Sequence, residues 1–336
     1  MSMKNKLGVG WLALAAVLAL AGRGRAAEVK FDLPAMGGGA VSPDGTTLVV
    51  SLPAKAELVY IDTVAGKEVK RVSVDFKPTQ LAWGDKVLFA GQKDSGVVHV
   101  LDAETGKELA SGKAESPTKN LVVIKGVCFA SSTNRQVFAI DAKGAATKTT
   151  AQGTFIAADR KGDFLYTCVD GKATTDVTKY AVDGTKLTAE KDFFRSLRDS
   201  LINVQGLQVT GDGKAFGVVA GGGWADKERK RHYGVPLYGT EDMKSQLGEV
   251  ETGPFPAGFL AHPDEPLLFA CTGTQGTLFK DKAYTSVQTF AAPMNTDGAT
   301  PPSVLAFVAK GKKLAWGNSS GDAGVLTLYD INPPGK

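Results

Sequence analysis

Apolar and polar positions alternate in short runs along most of this chain, and the runs recur. From residue 41 the sequence reads VSPDGTTLVVSLPAKAELVYIDTVAGKEVKRVSV. It contains a turn at Ser42-Pro43-Asp44-Gly45, a β-branched run, a polar connection, the run LVYID and a second turn. In the last piece Arg71, Val72, Ser73 and Val74 alternate polar and apolar. Period-two alternation bounded by Gly, Pro and Asp predicts short strands joined by tight turns. The stretch LAWGDKVLFAGQKDSGVVHVLDAETGKELASG repeats the pattern. Gly84-Asp85 takes the place of Asp44-Gly45, Asp102 that of Asp62, and Gly106-Lys107-Glu108 that of Gly66-Lys67-Glu68. A third copy, LVVIKGVCFASSTNRQVFAIDAKG, carries Gly126 and Asp141 in similar slots. Looser copies begin at FIAADRKGDFLYTCVD, LQVTGDGKAFGVVA, FLAHPDEPLLFACTG and VLAFVAKGKKLAWGN, which makes seven.

Each unit reads as four strands, a to d. One such unit cannot bury both faces of its sheet, but stacking units radially around an axis does. The expected fold is all-β: a seven-bladed β-propeller of four-stranded antiparallel blades. The seventh unit ends with a strand c at residues 326–331, and no strand d follows. Residues 28–33 (EVKFDL) resemble 68–74 and are expected to supply that outer strand, pairing both chain ends and removing an exposed edge. Aligning the second strand of each unit gives one column: Ser51, Ala90, Ala130, Cys168, Val219, Cys271 and Gly317. All are small or modest in size, as closely packed sheets require. The three cysteines, Cys128, Cys168 and Cys271, lack CxxC spacing and read as small core residues with no disulfide between them.

The order SPDG, β-branched strand, Val-Tyr-Ile-Asp-Thr with Gly-Lys, then Lys77-Pro78-Thr79-Gln80-Leu81-Ala82 resembles the YVTN-type, WD-repeat-like β-propeller repeat. Pro117, Pro256 and Pro302 recur at similar places. The likeness covers essentially all of the chain after residue 26 and is sharpest in units one and two. It implies the fold and leaves function open, since such propellers include binding modules, surface proteins and a few enzymes.

Residues 1–26 form a separate segment. Lys4 and Lys6 precede a 15-residue apolar run, LGVGWLALAAVLALA, and Gly24-Arg25-Ala26 offers a cleavage site. That is the pattern of a secretory signal peptide, with an uncleaved anchor as the alternative, and the run is short for a membrane span. The expectation is an exported protein, periplasmic or extracellular, with one propeller domain at 27–336 and no membrane span in the mature chain. Four of the 39 basic residues, Lys4, Lys6, Arg23 and Arg25, lie in this segment, which has no acid. The remainder balances at 35 basic and 35 acidic residues. The net charge of +4 therefore gives no support for nucleic-acid binding.

Three long segments interrupt the repeat: 192–205 (DFFRSLRDSLINVQ), 221–236 (GGGWADKERKRHYGVP) and 292–302 (APMNTDGATPP). They fall in d–a, b–c and d–a connections. Strands alternate in direction, so all three emerge on one face, and clustered insertions on a repeat fold mark a binding face. In the first, Phe194, Leu197 and Leu201 have helical spacing, with Arg195 and Arg198 on another side, which predicts a short amphipathic helix. The candidate ligand residues are Phe194, Arg195, Arg198, Trp224, Arg229, Arg231, His232 and Tyr233, because aromatic and Arg side chains are common interface anchors and Arg offers paired donors to anions.

Catalytic signals are thin. His99, His232 and His262 fall in a strand c, a long loop and a turn on the other face, and no GxSxG, HExxH, P-loop or EF-hand pattern occurs. Asp159–Asp163 and Thr210–Gly213 resemble partial calcium loops but fit hairpin turns better. No motif implies a cofactor or metal. The expected function is a monomeric binding scaffold for a protein, peptide, glycan or anionic ligand rather than an enzyme. The alternative is a lactonase-like hydrolase, implied at fold level by the sugar-lactone hydrolases among similar propellers. It requires Arg, His and carboxylate groups converging on the central channel.

Overall fold

Hairpin turns set the architecture. Asp44 accepts hydrogen bonds from Ser42 Oγ at 2.6 Å and from the Thr46 amide at 3.1 Å, while Gly45 adopts φ +74°. A short carboxylate caps the turn and glycine tolerates its left-handed position. Thr210, Asp212 and Gly213 build a similar turn, and Asp159 accepts from the Phe164 amide at 2.7 Å. Both acidic stretches that resemble calcium loops are thus hairpin turns.

The structure, a computed structural model, describes residues 28–170, 175–196, 203–225, 228, 230–243, 245–280, 284–297 and 300–332. Among them are seven four-stranded antiparallel sheets and one two-stranded hairpin. The sheets are the blades of a propeller, at residues 38–73, 78–113, 118–152, 155–196, 204–251, 258–291 and 304–330. Glu28–Pro34 completes the seventh as its outer strand, antiparallel to Ala323–Asp330, with Glu28 opposite Tyr329 and Pro34 opposite Ala323. Leu33 is buried at this seam, and the Met36 amide donates to Ser319 Oγ at 2.9 Å. The ring closes through the two ends of the chain, as the missing strand predicts.

The core is a set of seven apolar seams, each between neighbouring blades. Ile61 packs with Leu328 between blades 1 and 7, Leu58 with Leu88 between 1 and 2, and Phe269 with Trp316 between 6 and 7. Burying both faces of every sheet is what makes the strands read as apolar runs.

The small-residue column occupies one register position in all seven blades. Ser51, Ala90, Ala130, Cys168, Val219, Cys271 and Gly317 lie opposite Gly38, Leu81, Leu121, Phe155, Gly206, Gly258 and Val304 of the inner strands. All three cysteines are buried, and none is in a disulfide.

One expectation is overturned. The outer strand of blade 4 runs Lys186–Ser196, so residues 192–196 extend a strand instead of starting a helix. Phe194 lies opposite Thr178 and Arg195 opposite Val177. Backbone pairing to an existing strand satisfies every second amide at once and outweighs a weak helical period. Residues 197–202 lie outside the described residues, and Val204–Val209 is already the inner strand of blade 5. Residues 1–27 lie outside them too. Among the described residues no helix is long and apolar enough to cross a membrane.

Candidate functional site

The insertion in blade 5 falls between its second and third strands, Ala215–Ala220 and Gly234–Gly239. Its arms pair as a small hairpin, Trp224 opposite His232 and Ala225 opposite Arg231. The hairpin folds back on its own blade. Trp224 is buried, and its Nε1 donates to Glu249 Oε1 at 3.0 Å. His232 stacks on the Trp224 ring at 4.3 Å and 14°, and its Nδ1 lies 3.4 Å from Glu249 Oε2. Gly234 makes room, since a Cβ there would stand 2.4 Å from Glu249 Oε1. Arg231 Nη1 donates to the Gly222 carbonyl at 2.5 Å, tying the two arms.

A cleft of about 600 Å³ opens between this hairpin and blade 6. Lys230, Arg231, His232 and Tyr233 form one wall, with Glu249 and Glu251 below. Thr252, Gly253 and Pro254 cross one end, and Gln275, Thr277 and Phe279 form the far side. Tyr233 is 42% exposed, and Phe255 in the adjoining d–a loop is 50% exposed at φ +64°. A bulky residue in the left-handed region is uncommon and carries a cost. The other large exposed apolar side chains, Val64, Val69, Leu109 and Leu247, lie on a c–d turn and on outer strands.

The hairpin therefore brings Trp224, Arg231, His232 and Tyr233 together. Trp224 faces inward as an anchor, and Tyr233 is the aromatic that faces outward. Phe194 and Arg195 lie at the end of the blade 4 outer strand on the same face, while Arg198 and Arg229 lie outside the described residues. The three histidines are far apart. His99 stacks on Phe76 and meets Glu108 at 3.0 Å, and buried His262 meets the Gly311 carbonyl at 2.9 Å.

A second concavity follows the propeller axis. This funnel, about 470 Å³, is lined by the inner strands of all seven blades at the end that carries the d–a connections. Its wall includes every residue opposite the small column, from Gly38 to Val304. The preceding position supplies polar groups: Gln80, Asn120, Gln205 and Ser303. Lys119 is the one charged residue among the described lining residues. Sequence reasoning missed these side chains, although three of them, Gln80, Asn120 and Gln205, are amides at one repeat position. On the opposite face Arg160 of blade 4 reaches past blade 5 to the Pro263 carbonyl and Asp264 of blade 6.

Among the described residues the funnel lining offers amide and hydroxyl donors and acceptors and Lys119, with no carboxylate or imidazole. The blade 5 cleft combines aromatic surface with charges of both signs, a composition that suits binding. The opposite face has its own cleft between blades 1 and 2, with Asp85, Asp102 and Glu104 in its wall. There Lys70 lies over the Tyr60 ring, 4.3 Å from its centroid, and donates to the Glu104 carbonyl. Desolvation, aided by the Asp102 charge, pushes the Tyr60 hydroxyl up to about 12.

No family model matches this chain, and no curated protein does. Among solved structures it is similar to hydrazine synthase of Kuenenia stuttgartiensis, with 17% identity and a TM-score of 0.64 over 88% of this chain and 96% of that one. At that identity the likeness shows the fold alone, which is the β-propeller.

Proposed function

We propose that this chain is an exported binding propeller of the YVTN type, which holds a peptide or glycan segment in the cleft between blades 5 and 6. The observation that carries the reading is the pair Tyr233 and Phe255, two exposed aromatics on the face that bears the insertions, beside a cleft of about 600 Å³. Aromatic side chains exposed on loops that the repeat does not need are typical anchors for a partner. Lys230 and Arg231 on one wall and Glu249 and Glu251 below add donors and acceptors that orient a polar chain. The balance of charge after residue 26 favours a mixed ligand over nucleic acid. Export rests on the signal-like residues 1–26, and the monomeric state on the closed ring, which leaves no blade unpaired.

Peptide and glycan arrays test the proposal. Wild type should give saturable signals that the double variant Tyr233→Ala, Phe255→Ala loses. Val64→Ser, which changes an exposed apolar residue on the opposite face, should keep them. Signals that survive the double variant refute the cleft as the site.

A further inference from the structure

The inner strands of blades 2, 3 and 5 depart from regular pairing, and each departure lies at the funnel. In blade 2 the register shifts between Pro78 and Leu81, in blade 3 between Thr118 and Asn120, and in blade 5 between Val204 and Gly206. The residues inside these irregularities include Gln80, Lys119 and Gln205, all of which line the funnel. In blades 1, 4, 6 and 7 the same pairing is regular. A bulge costs ladder hydrogen bonds and re-aims a side chain, and bulges concentrate beside functional sites. Each of these three bulges brings a polar side chain to one cavity.

The hydrogen bonds already made define what the cavity still offers. Asn120 Oδ1 accepts from the Ile156 amide at 3.1 Å, while Thr79 Oγ1 lies 2.8 Å from Gln80 Oε1 and 2.9 Å from the Gly91 carbonyl, with one proton to give to either. The Asn120 oxygen is engaged, and its NH₂ group and that of Gln80 can donate. Gln205 Oε1 is buried and has no hydrogen-bond partner. A buried acceptor without a donor is costly and asks for one. Lys119 adds an ammonium, the one charge among the described lining residues. A concave wall with a single sign of charge focuses that field.

The geometry points to a binding site for a small polyhydroxylated anion, one carboxylate beside Lys119 and ring hydroxyls among Gln80, Asn120 and Gln205. A hydroxyl donating to Gln205 Oε1 supplies the missing partner, and the amide NH₂ groups meet hydroxyl or carboxylate oxygens. The volume of about 470 Å³ suits a sugar acid of one or two rings. This site is separate from the blade 5 cleft and does not depend on it.

Isothermal titration with D-glucuronate, D-glucose and acetate, at constant ionic strength, tests the assignment. Glucuronate should bind saturably, and glucose and acetate at least about tenfold more weakly, since the site needs both hydroxyls and charge. Gln205→Leu should weaken glucuronate about tenfold or more while the melting temperature stays level or rises, because an unsatisfied buried acceptor has been removed. Lys119→Met should erase the preference for glucuronate over glucose. Tyr233→Ala with Phe255→Ala should leave glucuronate binding unchanged, so failure of the cleft reading and failure of this one are distinguishable. No saturable heat with glucuronate, or wild-type affinity in Gln205→Leu, overturns the proposal.

Discussion

Trp224 Nε1 donates to Glu249 Oε1 across 3.0 Å, and this bond holds the inserted hairpin against the outer strand of its own blade. The insertion thereby gains a fixed shape, and Tyr233 a fixed position beside the cleft. A binding loop ordered before the ligand arrives loses less entropy on binding. Trp224→Phe keeps most of the ring but strips the carboxylate of its donor. It should cost about 1–3 kcal/mol in urea denaturation. Glu249→Gln retains an acceptor and should cost less. Equal stability of wild type and Trp224→Phe would show that the bond does not hold the hairpin.

The cysteines give a prediction that separates packing from chemistry. Burial pushes the Cys128 and Cys271 thiols above the ordinary range, and Cys168 is buried as well. A thiol that stays protonated and covered is a poor nucleophile. Native protein should show almost no reaction with an aromatic disulfide reagent at pH 8. Unfolding in guanidinium should release all three thiols. A titre short by two after unfolding would reveal a disulfide and contradict the structure.

Stability on the alkaline side should follow the buried tyrosines. Desolvation pushes Tyr60 and Tyr329 from 10.0 up to about 12, with the Asp102 and Glu28 charges adding to the effect. Tyr329 Oη also donates to the Ala291 carbonyl at 2.6 Å. The folded state holds these protons more tightly than the unfolded chain. Their contribution is therefore complete below pH 10 and is lost as pH rises through about 12. Thermal melts between pH 9 and 12 should show a falling midpoint, and Tyr329→Phe should shallow the fall. A midpoint flat across that window would mean that these hydroxyls already reach solvent.

Most of the fold is legible in the chain because each blade repeats one set of turns. Asp44-Gly45 and Asp212-Gly213 announce hairpins through side-chain caps that are local in sequence, and the unpaired last unit announces the role of Glu28–Pro34. The small column is legible for the same reason, since one register position recurs seven times. The site is less so. Phe194 follows a helical period that the pairing of Arg195 with Val177 overrides, and pairing is a tertiary event. Trp224 reads as a ligand contact because the sequence does not reveal Glu249 beneath it, 25 positions on. Gln80 and Gln205 look like ordinary strand polar residues until the bulges turn them to the axis.

The central claim is that ligand contact lies at the blade 5 insertion and the loop that follows the blade. Hydrogen–deuterium exchange measured with and without the strongest array ligand tests it most directly. Slower exchange should appear in residues 221–234 and 252–257, with the a–b turns at 42–46 and 210–214 unchanged. Protection confined to those turns, or absent from the hairpin, would contradict the account.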